Sequence, residues 1–351
     1  MERLLCLKIA SRGDLLLAAP SFRWLRESRR GARLTLAVGE SCLEVGRHLP
    51  FFDEVIAVDD AELLAGSPLQ KAQGAAGLFR MMRGRGAATD TSFSSVFIFH
   101  RDWRFAALAR LAGIPERRGF DAGWARGFLT HALRAGEHEH HAAQYLRMVG
   151  APADTEDSPS GSWVFFEDEQ GKADSLAVAH GLRAGVRTVV FAFGGGRNVK
   201  TRTALKCWPA EGWRDLAREL AARSVQVVWV GDAEDAALLH GNETGVLLAG
   251  KLSLSESAGV VARADLVVSN DSFMLHLAEA LRVPVVGIFG PTDPGHYRPR
   301  SVRSRTLWAG EGLPCSPCHR DGWFPVCRHD HRCMRDLSAA TVLSACLELL
   351  P

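Results

Sequence analysis

Residues 266–294 read L-V-V-S-N-D-S-F-M-L-H-L-A-E-A-L-R-V-P-V-V-G-I-F-G-P-T-D-P, and this stretch decides the fold. Two aliphatic runs, 266–269 and 285–289, flank a polar turn and a helix-length segment. Runs that are apolar on both alternations suit strands of a parallel sheet covered on both faces. A strand, a polar turn and a helix, in that order, aim the first helical amides and the positive dipole end at an anion over the turn. The turn carries Asp271, Ser272, Phe273 and Met274, and His276 follows one turn inside the helix.

The same unit recurs outward from this stretch. Aliphatic runs stand at 188–193, 225–230 and 246–249, and again at 4–10, 34–38, 55–58 and 96–99, with helix-sized segments between them. Segments 18–30 and 104–111 place apolar residues at helical spacing with arginines on the other face. Alternating strands and helices predict an α/β protein with doubly wound sheets. A chain of 351 residues exceeds one ordinary core. The aperiodic A-P-A-D-T-E-D-S-P-S-G-S at 151–162 is the expected linker, so an N-terminal domain over 1–155 and a C-terminal domain over 156–336 are predicted. A terminal helix, 337–351, is expected to pack across both. A cleft between two such halves is the default ligand site.

Composition narrows the classes. With 47% hydrophobic and 23% charged residues the chain is globular, and a net charge of +2 gives no argument for nucleic acid. Residues 1–150 carry 21 basic and 16 acidic side chains, against 21 and 24 in the remainder, so the first half is modestly basic. That balance suits an anionic acceptor or membrane surface as well as an ordinary solvated face. No uncharged apolar run approaches a membrane span of roughly 18 residues, and Lys8, Arg12 and Asp14 break up the apolar start. The chain reads as cytoplasmic. Segment 65–95 has no clear period and reads as a loop or insertion.

Several residues carry chemistry. Ser11-Arg12-Gly13-Asp14 ends the first strand and places a carboxylate at its C-terminal edge, where the alternative is a helix cap worth about 1 kcal/mol. Gly194, Gly195 and Gly196 follow a buried strand and let backbone amides approach an anion. Lys206, in K-C-W-P, precedes a helix over 211–223 and can meet a diphosphate as a point charge. Glu234, between Asp232 and Asp235 after the strand ending at Gly231, can accept from ribose hydroxyls or serve the helix start. His100, Arg101 and Arg104 follow a strand end and can meet an acidic acceptor, although solvated arginines are common. His138, His140 and His141 precede a helix and read as structural.

Taken together, S-R-G-D-L-L-L-A-A-P, K-C-W-P, the run from Gly250-Lys251-Leu252-Ser253-Leu254 through N-D-S-F-M-L-H-L-A-E-A-L, and F-G-P-T-D-P resemble the ADP-heptose:lipopolysaccharide heptosyltransferases, glycosyltransferase family 9. The resemblance spans nearly the whole chain. It implies a GT-B architecture, two Rossmann-like domains facing each other across a cleft, and inverting transfer of heptose from ADP-L-glycero-D-manno-heptose to a lipopolysaccharide core acceptor without a metal. By position it implies Asp14 as general base, Lys206 on the departing diphosphate, and Glu234 on the ribose. Asp271, Ser272 and His276 fall in the diphosphate turn. The family pattern has Gly then Pro where Phe273 and Met274 stand, so backbone donation there requires a non-positive φ at 273. The resemblance leaves open transfer to a protein or polysaccharide, or a catalytically silent sugar-nucleotide binder, and implies peripheral contact with the inner membrane.

Within 313–334, Cys315, Cys318, Cys327 and Cys333 begin with C-x-x-C. Four such thiolates suit one structural zinc or iron ion, the alternative being reduced thiols or a disulfide.

Overall fold

The computed structural model describes residues 1–84, 92–196, 204–239, 241, 243–319 and 323–351. The chain divides into two compact units, the first built on Met1–Ser162 and the second on Trp163–Arg197 and Arg202–Pro351.

The first unit has six parallel strands: β1 (Arg3–Leu7), β2 (Arg33–Gly39), β3 (Glu54–Val58), β4 (Ser95–Ile98), β5 (Glu116–Phe120) and β6 (His131–Leu133), in the order β3-β2-β1-β4-β5-β6. The second has β7 (Thr188–Ala192), β8 (Gln226–Val230), β9 (Val246–Leu247), β10 (Leu266–Asn270), β11 (Val285–Phe289) and β12 (Ser304–Trp308), ordered β12-β11-β10-β7-β8-β9. Counted within each unit, both sheets have the 3-2-1-4-5-6 order of the Rossmann fold. Their strand order therefore reverses between β1 and β4, and between β7 and β10. Ligands of such sheets bind beyond the strand ends at that reversal.

Three strands carry no aliphatic run. β5 is E-R-R-G-F, β6 is H-A-L and β12 is S-R-T-L-W; β6 and β12 are sheet edges, where charge is tolerated and discourages further pairing. Segment 65–95, expected to be a loop, contains the helix Pro68–Met82, closed at its start by a Ser67/Gln70 capping box and Pro68. Only Leu78 and Met82 of this helix are buried, which explains its weak periodicity. Residues 85–91 of that segment lie outside the described ones.

The second core is divided by its sheet. One face packs Phe191, Trp208, Trp213 and Trp229, with Phe191 centred 5.0 Å from Trp213 and 5.1 Å from Trp229. The terminal helix Ala339–Leu349, expected to bridge the domains, buries Val342, Leu343, Ala345 and Cys346 in this same cluster. The other face packs Val190, Val228, Val267 and Leu275. Among the described residues no helix is long and apolar enough to cross a membrane.

Candidate active site

At the β1/β4 reversal the chain leaves β1 through Lys8, Ile9 and Ala10 and enters the helix Arg12–Leu17. Asp14 lies in the first turn of that helix. Ser11 occupies the cap position, so Asp14 is not the cap. Its carboxylate Oδ2 pairs with Lys8 Nζ at 3.1 Å, and Lys8 also donates to the Ala10 carbonyl at 2.7 Å. The Lys8 side chain is 3% exposed and that of Asp14 is 30% exposed. The ammonium also lies 5.9 Å from the centre of the Tyr145 ring. Burial and the Asp14 charge hold the Tyr145 phenol well above its ordinary pKa, so it stays protonated.

The three residues expected to hold an acceptor are placed differently. His100 Nε2 accepts the Ile9 amide at 2.6 Å, tying the β4 end to the β1 end. Arg101 is exposed; it donates to Gln144 Oε1 at 2.9 Å and lies over the Phe120 ring. Arg104 pairs with Asp102, which caps the helix Trp103–Leu111 by accepting the Arg104 amide. His100 and Arg101 thus stand at the strand end with intramolecular partners, and Arg104 is engaged at the helix start. His140 is buried and its Nδ1 accepts from Ala142 N, capping the helix His141–Val149.

At the β7/β10 reversal, Asn270 is the organising residue. It is fully buried; its Nδ2 donates to the Phe193 and Gly194 carbonyls at 2.6 and 3.2 Å, while Oδ1 accepts the Trp208 amide at 3.1 Å. One side chain therefore joins the glycine loop, K-C-W-P and the N-D-S turn. Trp208 is held again where its indole donates to the Leu337 carbonyl at 3.0 Å. Lys206, two residues earlier, is thereby fixed beside the turn.

Lys206 Nζ contacts Asp271 Oδ2 at 2.7 Å and donates to the Asp271 carbonyl at 3.3 Å. Lys206 is 20% exposed and Asp271 5%. Burial alone would raise the Asp271 carboxyl, but the adjacent Lys206 charge and hydrogen bond, with His276, hold it below the ordinary carboxylate range. The rings of Tyr297 and Phe324 each lie 6.0 Å from Lys206 Nζ.

Ser272 caps the helix Phe273–Ala280 without a side-chain bond to its amides; its carbonyl accepts the Leu275 amide at 3.2 Å, and the Phe273 and Met274 amides open the helix. Phe273 begins this helix and is absent from the described residues with positive φ, so its amide keeps the donating geometry. Met274 packs partly into the core and His276 is buried. Gly196 has φ +76°, and a side chain on Gly194 would collide with the Asp235 carboxylate. Asp232 and Asp235 form a capping box on the helix Ala233–Ala236, which leaves Glu234 as the exposed acid outside the box. A cavity of about 500 Å³ on the tryptophan-rich side is lined by Glu211 and Glu243 together with Arg214, His331 and Arg335.

The cysteine segment is anchored to F-G-P-T-D-P. Pro291 O accepts from the Cys318 and His319 amides, and Gly290 O from Ser316 Oγ and Trp308 Nε1. His331 Nε2 meets the Leu205 carbonyl at 2.5 Å, so the segment borders Lys206 through both His331 and Phe324. None of the eight cysteines is joined in a disulfide. Burial, then the neighbouring Cys318, Cys327 and Cys315, push the Cys333 thiol up to about 11. The donor types suit a zinc or iron ion, but among the described residues no three His, Cys, Asp or Glu groups are placed to hold one.

Lys8, Asn270 and Tyr145 are the participants that sequence reasoning did not assign to the site. A lysine inside an otherwise aliphatic run was the available signal for Lys8. Asn270 and Tyr145 act through partners 62 to 77 residues away for the first, and through the Lys8 ammonium for the second, which spacing does not reveal.

Residues 89–322 match the model of glycosyltransferase family 9 (heptosyltransferase). The chain is 30% identical over 220 residues to lipopolysaccharide heptosyltransferase 1 of Pseudomonas aeruginosa, a match covering 61% of this chain and 54% of that protein. A glycosyltransferase family 9 structure from Veillonella parvula superposes with a TM-score of 0.80 at 22% identity, covering 99% of this chain and 97% of that one. The E. coli heptosyltransferase WaaC with ADP gives 0.70 at 20% identity, covering 99% of each chain. These solved structures share the fold, two parallel six-stranded α/β sheets of the GT-B heptosyltransferase type. With matching motifs at both strand-order reversals and a family match across two-thirds of its length, the chain belongs to glycosyltransferase family 9.

Proposed function

We propose that the protein transfers heptose from ADP-L-glycero-D-manno-heptose to a lipopolysaccharide core acceptor, with inversion at the anomeric carbon. The carrying observation is the Lys206–Asp271 pair beside the first turn of Phe273–Ala280. A partly exposed ammonium and the Phe273 and Met274 amides support a diphosphate there. The name of the Pseudomonas relative and the ADP bound by the E. coli enzyme support the donor and acceptor classes.

In this reading the acceptor hydroxyl oxygen attacks the anomeric carbon while the bond from that carbon to the β-phosphate oxygen breaks. Asp14 takes the hydroxyl proton, and ADP leaves with the bonding electron pair. Lys8 orients the Asp14 carboxylate. Lys206, the amides of Phe273 and Met274, and the glycine loop receive the diphosphate; Glu234 accepts from the ribose. Arg101, at the strand end, remains an acceptor contact, whereas His100 positions the strand end. The reaction takes place in the cytoplasm at the inner membrane. The cysteine segment holds Phe324 and His331 near Lys206; Cys315, Cys318, Cys327 and Cys333 would hold one structural zinc or iron ion if their sulfurs converged, and no step of transfer runs through it.

The test is a thermal-shift panel joined to an ADP-release assay. A ligand at a hundredfold its Kd adds about 2.7 kcal/mol of apparent stability. ADP and ADP-heptose stabilise the protein, UDP and GDP do not, and ADP is released only when acceptor is present. Selective stabilisation by another nucleotide overturns the donor, and ADP protection without turnover on any acceptor overturns the enzyme reading.

A further inference from the structure

Three rings stand by the Lys206 ammonium, and holding a diphosphate does not account for them. Tyr297 closes the short helix Pro294–Tyr297, which Asp293 caps by accepting the Gly295 amide at 2.7 Å. His319 belongs to the cysteine segment and is fixed through its backbone, whose amide donates to the Pro291 carbonyl at 3.0 Å. Phe324 follows in the same segment. The ring centres of Tyr297 and His319 are 6.2 Å apart and those of His319 and Phe324 4.7 Å, so the three rings form one continuous chain. The two ends of that chain, Tyr297 and Phe324, each lie 6.0 Å from Lys206 Nζ. All three side chains are half-buried, neither closed into the core nor fully solvated.

Distance gives the rings their meaning. A phosphate oxygen bonded to an ammonium stands about 2.8 Å from it. A sugar joined to that phosphate through one oxygen begins just beyond, within the range of the two end rings. Charge and amides are enough to hold a diphosphate, whereas flat apolar walls suit the C–H face of a pyranose and keep water from the bond that breaks. We infer that Tyr297, His319 and Phe324 wall a donor-sugar subsite beside Lys206, which takes the apolar face of the pyranose carried on the diphosphate and sets which sugar is accepted. Two of the three rings come from the cysteine segment, so that segment takes part in sugar recognition directly. The inference rests on the proposed donor reading, in which the nucleotide keeps contacts of its own in Lys206, the glycine loop and the Phe273 and Met274 amides.

The experiment titrates the full chain with ADP and with ADP-heptose by calorimetry. Phe324→Leu keeps apolar bulk but removes the flat face. Its Kd for ADP-heptose rises at least about tenfold, the low end of what one small apolar contact in a pocket is worth, while its Kd for ADP is unchanged. Phe324→Tyr, which keeps the ring, restores sugar-nucleotide binding, and the preference for ADP-heptose over ADP-glucose narrows only in the leucine variant. His319→Ala leaves the anchoring backbone amide in place and gives the same split, which covers a leucine variant whose thermal midpoint drops. Equal losses for ADP and ADP-heptose assign the rings to Lys206 alone and overturn the subsite. Unchanged binding of both ligands in the two variants overturns it as well and leaves the donor reading standing. An unmodified protein that binds neither ligand removes the donor reading and the subsite together.

Discussion

Each unit presents a lysine–aspartate pair at its strand-order reversal, and the exposed partner differs between them. In the first, Lys8 is the buried partner and Asp14 the reachable one, 3% against 30% exposed. In the second, Asp271 is buried and Lys206 reachable, 5% against 20%. The inner charge in each case holds the outer one in place. The first unit therefore exposes a carboxylate and the second an ammonium, although the two sheets share one topology. In the proposed transfer, a reachable carboxylate suits proton removal and a reachable ammonium suits a departing diphosphate. Fold alone does not assign the proposed roles; which partner of each pair is exposed is what supports them.

Breaking the pairs exposes the asymmetry. Lys206→Ala leaves the Asp271 carboxylate buried without its cation and costs about 3–5 kcal/mol, read by denaturant unfolding. Adding Asp271→Asn recovers much of that stability but none of the ADP affinity. The matching loss in the first unit is smaller. Lys8→Met leaves Asp14 with access to water and costs about 1–3 kcal/mol in the same assay. Equal costs for the two substitutions would contradict the difference in burial.

Acid sharpens the comparison. The Asp271 carboxyl is depressed in the folded chain, so its contribution to stability is fully present above its unfolded pKa of about 3.9 and is lost as pH falls through the lower folded value. Thermal midpoints measured between pH 6 and 2.5 should fall less steeply in Asp271→Asn than in the unmodified protein. An unchanged slope would mean that the pair does not hold the carboxylate ionised.

The smallest effect concerns the cysteine segment, which borders the Lys206 pair and has no counterpart beside Lys8. Elemental analysis should find about one zinc or iron per chain, lost in Cys315→Ser and Cys327→Ser. His331→Ala should weaken ADP binding only modestly, because Asn270 and Trp208 still fix the Lys206 segment. No stoichiometric metal in the unmodified protein would sink the metal site while leaving this positioning role testable.

Legibility in the sequence followed the physical origin of each feature. Seven strands were readable because burial on both faces requires aliphatic runs, and the edge strands β3 and β9 because they are aliphatic although only partly buried. β5, β6 and β12 were not, since charged or short strands owe their pairing to neighbours rather than to their own composition. The helix Pro68–Met82 was hidden by its thin apolar stripe, although Ser67, Pro68 and Gln70 announced its start. Asp14 and Lys206 were legible as candidates from motifs, but their being the exposed partners was not. That depends on Lys8 and Asp271 being buried, a property of the assembled sheet. The acceptor arginines show the reverse, for Arg104 looked available until its pairing with Asp102 was visible.

The most direct measurement is made on Asp14→Asn, recording turnover and ADP affinity on the same preparation. The account predicts that turnover falls by roughly 10²–10⁴-fold, the usual worth of a general base, while ADP affinity is unchanged because the diphosphate contacts belong to the other unit. Turnover retained in that variant, or lost in parallel with ADP affinity, would contradict the division of roles between the two pairs.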